Sequence, residues 1–496
     1  MSLTNNSVLL TTPLVNAGKT EILLLSMPLT KGLVPWAAGA VLKSIANNAG
    51  RTCRTVDLNL LTQKWLTRLE NANDIMDFFW HGAKTHERCV ILEHYASQVI
   101  DMIRQFDPEL LGLSVFTDFS RPATLLIAQA VKQHLPHIKI ILGGSGVTDG
   151  LMVSNGSRSF GQQMVDNGLA DHYIIGDADL SFKEFLNNNL QYPGIDQTQW
   201  KQLNNAEMAS LTFPDYSDYD WSLYEQKQIF LTGSRGCVRK CDFCNYIDTW
   251  KNFTWRTGQD IFEEILYQKS QHNVNLFSFS DSVINGNMKE YRNLISLLAE
   301  YNSQNPDDQI RWSSFFILRT EQTWGEDLWK LTAASGGRQL LVGIETFDDI
   351  ARWKMGKKFT NNDIDFGINM AIKYDIQLTL MLFIGYVTDT YKIVDTSVKW
   401  LLDHQQVKDY IHLSFNHTMS IMSGSWLDKN RKTIRIKLLD PNDKQSWVSK
   451  TNGSTFEQRE QWLEQILDHC KKLNFNYSSY SITHQHVNQH IDHDHR

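Results

Sequence analysis

Gly236-Cys237-Val238-Arg239-Lys240-Cys241-Asp242-Phe243-Cys244 gathers three of the chain's six cysteines into eight residues; the others stand alone at positions 53, 89 and 470. Six cysteines in 496 residues are too sparse for a disulfide framework. Met1–Thr20 lacks the basic stretch and apolar core of an export signal. Clustering of this kind points to metal ligation, and Cys53, Cys89 and Cys470 are expected to be small buried residues.

Three thiolates separated by three and then two residues can wrap a loop around one face of a cubic iron–sulfur cluster, ligating three of its four irons. The fourth iron is then open to the amino and carboxylate groups of S-adenosylmethionine. Structural zinc takes four closed ligands, and no second cysteine pair lies near.

The cysteine segment follows an apolar run, Ile229–Ser234, and begins an alternating series. Further strands are expected at Leu276–Ser280, Ile310–Ile317, Gln339–Ile344, Gln377–Ile384 and Tyr410–Phe415. Helices are expected near 258–271, 287–303, 324–334, 361–374 and 391–404. Six strand–helix repeats predict a partial (β/α)6 barrel of the TIM type over residues 225–422.

The first 190 residues alternate too. Apolar runs at Glu21–Pro28, Cys53–Leu58, Leu110–Phe116, Ile138–Leu142 and Tyr173–Ile175 flank helical stretches, of which Pro35–Asn48 ends at Gly50. Leu61–Asp107 reads as mostly helical, with Phe78-Phe79-Trp80 in the core. The pattern predicts an α/β, doubly wound, Rossmann-like domain over 1–190, with a parallel sheet and helices on both faces. Residues 191–224, polar and carrying Pro193 and Pro214, read as a linker. Residues 423–496 read as a small, mostly helical segment. It has a helix at Thr455–Leu473 and a polar tail bearing His484, His486, His490, His493 and His495, expected to be a mobile, solvated end.

Composition sets the outer bounds. The length suggests two to four domains, and 42% hydrophobic with 21% charged residues excludes a wholly disordered chain. A formal net charge of −7 gives no global attraction to phosphate backbones, so nucleic acid is not an expected partner. No run of about 18 apolar residues occurs, so a cytoplasmic protein without a membrane span is expected.

Cys237-x3-Cys241-x2-Cys244, with an aromatic residue, Phe243, before the last cysteine, resembles the signature of the radical S-adenosylmethionine superfamily. The resemblance implies a [4Fe-4S] cluster on the three cysteines, with S-adenosylmethionine lying across the C-terminal ends of the barrel strands. It also implies an electron donor such as flavodoxin or ferredoxin. Ser280-Asp281-Ser282 falls where related enzymes bind the cofactor's amino group, although the Gly-Gly-Glu form is absent. Asp281–Asn287 looks like the matching segment of cobalamin-associated members, and as a plain reading it is a turn and helix cap. Gly343-Ile344-Glu345-Thr346 resembles a Gly-Ile-Glu-Ser stretch, which makes Glu345 a candidate for the ribose. Arg319, ending the third strand, is a candidate partner of the methionyl carboxylate or a surface ion-pair residue. Gly385 resembles the adenine-side glycine whose missing side chain admits a ligand.

Ser114, Gly143, Gly144 and Ser145 occupy strand ends of the first domain, where ligands of doubly wound sheets bind. With Gly176–Asp179 they resemble the cobalamin-binding domain of one branch of the superfamily. The Asp-x-His-x-x-Gly motif that gives cobalt a histidine is missing; Met27-Pro28-Leu29-Thr30-Lys31-Gly32 stands there instead. The implied function is cobalamin-dependent methyl transfer to an unactivated carbon or phosphorus, on a small molecule or a peptide. Alternatives are a radical cyclisation or rearrangement without methyl transfer, and a non-catalytic iron–sulfur protein. Methylthio transfer would need three further cysteines in the first domain, which has only Cys53 and Cys89.

Overall fold

In the computed structural model the structure describes residues 18–28, 34–69, 72–81, 86–148, 159–190, 202–246, 250–440 and 443–479. The Cys89 side chain and the histidines from His484 onward lie outside the described residues. The chain divides into two compact units. The first comprises Met1–Leu231, Thr254–Arg256 and Glu263–Phe277, the second Thr232–Phe253, Thr257–Phe262 and Ser278–Arg496.

Strands β1 (Ile22–Ser26), β2 (Cys53–Val56), β3 (Leu110–Ser114), β4 (Lys139–Gly143) and β5 (His172–Tyr173) form a parallel sheet ordered β2-β1-β3-β4-β5. Each falls within or beside an expected apolar run. Successive side chains of a strand point to opposite faces, and both faces here are buried. Leu23, Leu25, Leu111, Leu113, Ile140 and Leu142 enter one core with Trp65, Phe78 and Phe79. Ile22, Leu24, Leu110 and Ile141 enter another with Ile45, Phe182 and Phe185. Continuous apolar strands covered on both sides are what a parallel sheet requires. Cys53 is buried here, and burial raises its thiol pKa.

The expected linker is no loose connection in its described part. Residues 202–224 belong to the first unit, where Asp218 receives Lys43 Nζ at 2.8 Å and Arg54 Nη1 at 2.7 Å. Lys43 and Asp218 are 3% and 4% exposed. Tyr219 donates to the Trp36 carbonyl at 2.7 Å, and Asp215 N–H to the Ala40 carbonyl at 3.0 Å. The polarity that reads as a linker is a set of partners for buried charges.

β6 (Gln228–Leu231), β7 (Ser234–Arg235) and β8 (Thr254–Trp255) are followed by β9 (Leu276–Phe279), β10 (Arg311–Phe316), β11 (Gly337–Glu345), β12 (Gln377–Ile384) and β13 (Ile411–Thr418). The barrel sheet runs β16-β13-β12-β11-β10-β9-β6, with parallel pairing along β10-β11-β12-β13-β16. The seventh strand, β16 (Tyr477–Ser479), follows the helix Phe456–Lys472, which carries buried Cys470. The C-terminal segment also forms an antiparallel pair, β14 (Ile436–Leu438) and β15 (Trp447–Ser449), over fully buried Trp447. Beside the expected helix the segment thus carries three short strands. Among the described residues no helix is long and apolar enough to cross a membrane.

Candidate functional site

The cysteine loop opens at Gly236, whose φ of +86° suits glycine; a Cβ there would run into the Asn252–Phe253 backbone. Cys241 is buried, and Cys237 and Cys244 are half-buried. Backbone N–H groups of Arg239 and Tyr246 donate to the sulfurs of Cys237 and Cys244, each at 3.4 Å. Burial pushes the Cys241 thiol up to about 11; Lys357 pulls it down, and Glu345, Cys244 and Cys237 push it further up. Burial also raises Cys244. Loading these thiols with metal must release protons. Among the described residues no group of three or more His, Cys, Asp or Glu side chains converges on a single metal ion. Ligands of a polynuclear cluster each take a different iron and stand farther apart than ligands of one ion.

Beside this loop, Glu345 ends β11 at a φ of +65°, where the register with β12 shifts between Gly343 and Glu345. A non-glycine residue there is strained and must be held. Arg352, fully buried, holds it: Nε donates to the Ile344 carbonyl at 3.2 Å and Nη2 to the Thr346 carbonyl, one on each side of Glu345. The same guanidinium reaches Asn361 Oδ1 at 2.8 Å and Asp349 Oδ1 at 2.5 Å. The Glu345 carboxylate lies 2.5 Å from Lys357 Nζ, which sits 5.8 Å from the Phe243 ring centre. Phe243 meets Phe383 edge-on at 5.1 Å. Burial opposes the Lys357 ammonium, but Glu345 and Cys241 outweigh it and raise its pKa.

Arg319 Nη2 donates to the Asn285 carbonyl at 2.9 Å, while its buried Nε has no hydrogen-bond partner. Burial, then the neighbouring charge of Arg239, lowers the Arg319 pKa. Two guanidiniums side by side with an orphaned donor fit an anionic group such as a carboxylate. Asn285 clamps Ile317, donating to its carbonyl at 2.8 Å and accepting from its N–H at 2.9 Å. Asn287 caps the helix Met288–Gln304. The cap reading of this segment is therefore correct for Asn287.

Asp281 is 2% exposed and spends its oxygens on Gly233 N–H, at 2.8 Å, and the Ser234 hydroxyl. Ser280 is exposed and lies 3.0 Å from the Thr232 hydroxyl; burial raises the Tyr246 phenol, and Ser282 counters it. Burial raises Asp281 to about 6. Between about pH 4 and 6 the native state therefore holds more protons than the unfolded chain, and stability falls as pH rises through that window, by about 3 kcal/mol at most. Urea midpoints across pH 4–7 are expected to show this slope, and Asp281→Asn is expected to flatten it.

At Gly385 the φ is +90°, and the space left by the missing side chain is filled by Arg459 from the C-terminal helix, not left open for a ligand. Arg459 lies 3.6 Å over the Trp447 ring and donates to the Gln445 carbonyl at 2.8 Å. Asp389, raised to about 7 by burial, accepts from the N–H groups of Gly385 and Tyr386.

In the first unit, strand order reverses at β1/β3, the place where doubly wound sheets bind ligands beyond the strand ends. Ser26, Ser114 and Gly143 stand in register at that end. A Cβ at Gly143 would meet only open space, whereas Gly144, at φ +99°, packs against the Val115 carbonyl. Ser145 donates to the Phe116 carbonyl, and Phe116 and Phe119 are exposed.

The site thus gathers Cys237, Cys241, Cys244, Phe243 and Glu345 around Lys357, with Arg319 beside Arg239. No role was expected for Arg239 and Asn285, although both lie in segments singled out in the sequence, nor for Tyr246, Arg352 and Lys357, which stand in no motif. The carboxyl-end residues Ser114 and Gly143–Ser145 belong to the first unit.

Residues 231–396 match the family model described as the Radical SAM superfamily. No curated protein matches the chain. Among solved structures, the radical S-adenosylmethionine methyltransferase TsrM from Kitasatospora setae, with cobalamin and a [4Fe-4S] cluster bound, is similar over 90% of this chain and 85% of that one. The TM-score is 0.58 at 13% identity. The cobalamin-dependent S-adenosylmethionine radical enzyme OxsB, with aqua-cobalamin bound, is similar over 90% of this chain and 67% of its own, with a TM-score of 0.62 at 11% identity. At these identities the likeness is one of fold.

Proposed function

Residues 231–396 being a radical SAM domain, we propose that the chain cleaves S-adenosylmethionine reductively at a [4Fe-4S] cluster held by Cys237, Cys241 and Cys244. We propose further that it is a cobalamin-dependent methyltransferase acting on an unactivated carbon or phosphorus. The observation that carries the reading is three cysteines on one packed loop, Cys241 buried and the sulfurs of Cys237 and Cys244 each accepting a backbone N–H bond.

When bound, the cluster supplies one electron and S-adenosylmethionine the groups to be transferred. Arg319, with its orphaned Nε, and Arg239 neutralise the cofactor's carboxylate. Ser280 and Ser282 offer hydroxyls near its amino group, while Asp281 keeps the Gly233–Ser234 turn in place. Phe243 and Glu345 wall the site, and Gly385 shapes it through Arg459. Ser114, Gly143, Gly144 and Ser145 receive cobalamin, with Phe116 and Phe119 offering apolar surface. The electron comes from a partner such as flavodoxin or ferredoxin, and the substrate is a small molecule or peptide.

Met27-Pro28-Leu29-Thr30-Lys31-Gly32 offers cobalt no histidine, so cobalamin would bind without one; a second reading keeps the domain without using cobalamin, for radical cyclisation or rearrangement without methyl transfer. Anaerobic reconstitution with iron, sulfide, cobalamin, S-adenosylmethionine and a reductant separates the two. Methyl transfer predicts cobalamin retained through desalting, and both 5′-deoxyadenosine and S-adenosylhomocysteine among the products. The second reading predicts 5′-deoxyadenosine alone, and absence of both products contradicts each. Arg319→Ala is expected to weaken S-adenosylmethionine binding about 10- to 100-fold, the worth of a charged hydrogen bond, measured by equilibrium dialysis.

A further inference from the structure

The Glu345–Lys357 pair lies beside the cysteine loop but makes no bond to a sulfur. Asp242 N–H donates to the Met355 carbonyl at 3.2 Å. Gly356, at φ +90°, packs so closely on the loop that a Cβ would lie 3.1 Å from the Lys240 carbonyl oxygen and 3.6 Å from Cys241 Cα. The next residue, Lys357, thus has a fixed place. Its ammonium is set by Glu345 at 2.5 Å and by the face of Phe243, and a Cβ at Gly343 would come within 2.8 Å of Nζ. Glycines at 343 and 356 clear the room this cation takes.

We infer that Lys357 is a positioning residue that raises the reduction potential of the cluster held by Cys237, Cys241 and Cys244, with Glu345 opposing it. The inference rests on the cluster reading proposed above. Adding one electron makes the cluster more negative by one charge. In a water-poor surrounding a nearby ammonium stabilises that state and a carboxylate destabilises it. Of the two charges Lys357 is the one set against the loop: it follows Gly356, which packs on Lys240 and Cys241, and its ammonium faces the Phe243 ring, whereas Glu345 is held there through Lys357. The pair is therefore not electrically silent toward the sulfurs, although its own charges cancel.

The test is a potentiometric titration of the reconstituted, S-adenosylmethionine-free protein with dithionite, read by electron paramagnetic resonance, after iron per chain has been counted. Midpoints are expected in the order Glu345→Gln highest, then wild type, then the double variant Lys357→Met/Glu345→Gln, and Lys357→Met lowest. At the wild-type midpoint the reduced-to-oxidised ratio in Lys357→Met is expected to fall about tenfold, equivalent to about 59 mV for one electron. Should Lys357→Met fail to fold with Glu345 unpaired, the double variant strands no charge and must still lie below wild type. A loaded double variant whose midpoint equals or exceeds wild type overturns the inference. Wild-type protein that takes up no iron contradicts the cluster reading itself.

Discussion

Cys241→Ala is expected to abolish cluster loading and to lower 5′-deoxyadenosine formation at least about a thousandfold, a loss of about 4 kcal/mol of transition-state stabilisation. Cys241 is the buried cysteine of the three, at 7% exposure. Its loop cannot easily rearrange to recruit another ligand. Asp242, next in the chain, is bound through its N–H to Met355, through its carbonyl to Leu427 N–H at 3.0 Å, and through its carboxylate to the Tyr386 hydroxyl. Two sulfurs cannot anchor a cluster that needs three while leaving one iron open. Iron and sulfide per chain, together with chromatography of the products, check the expectation.

Arg352→Met is expected to destabilise the protein by about 3–5 kcal/mol, the range for removing one partner from a buried charged network. The substitution removes a donor from the Thr346 carbonyl and from Asn361 Oδ1, and leaves the Ile344 carbonyl only the Thr346 N–H at 2.8 Å. It also releases the left-handed conformation of Glu345, so the Glu345–Lys357 pair should loosen even where the barrel survives. A urea unfolding midpoint well below wild type is the expected reading, and the variant is also expected to take up S-adenosylmethionine poorly. Arg352→Lys should recover only part of the loss, since an ammonium cannot reach both carbonyls in the fork geometry of a guanidinium.

Both sheets were legible in the sequence because their signals are local. Ile22–Ser26, Leu110–Ser114 and Gln377–Ile384 are apolar runs bounded by helix caps and glycines, and each forms the expected strand. The cysteine spacing was legible for the same reason, being contained in eight residues. What sequence concealed is non-local. Asp218 reads as a linker residue until Lys43, 175 positions earlier, is found buried against it. Gly385 reads as a ligand-admitting glycine, yet Arg459, 74 positions later, fills its space. The same holds for Asn285 with Ile317 and for Arg352 around Glu345. These side chains satisfy buried backbone groups, and which backbone group is buried without a partner is a property of the packed fold. β16 was missed because three half-buried residues carry almost no alternation; its pairing with Leu413–Phe415 makes it a strand.

Three protein ligands leave one iron of the proposed cluster open to S-adenosylmethionine. Electron paramagnetic resonance of the anaerobically reconstituted, dithionite-reduced wild-type protein, recorded with and without S-adenosylmethionine, tests it most directly. A reduced [4Fe-4S] signal whose shape changes when S-adenosylmethionine is added is expected; a loaded protein whose signal ignores S-adenosylmethionine, or one that gives no such signal, overturns the three-ligand cluster.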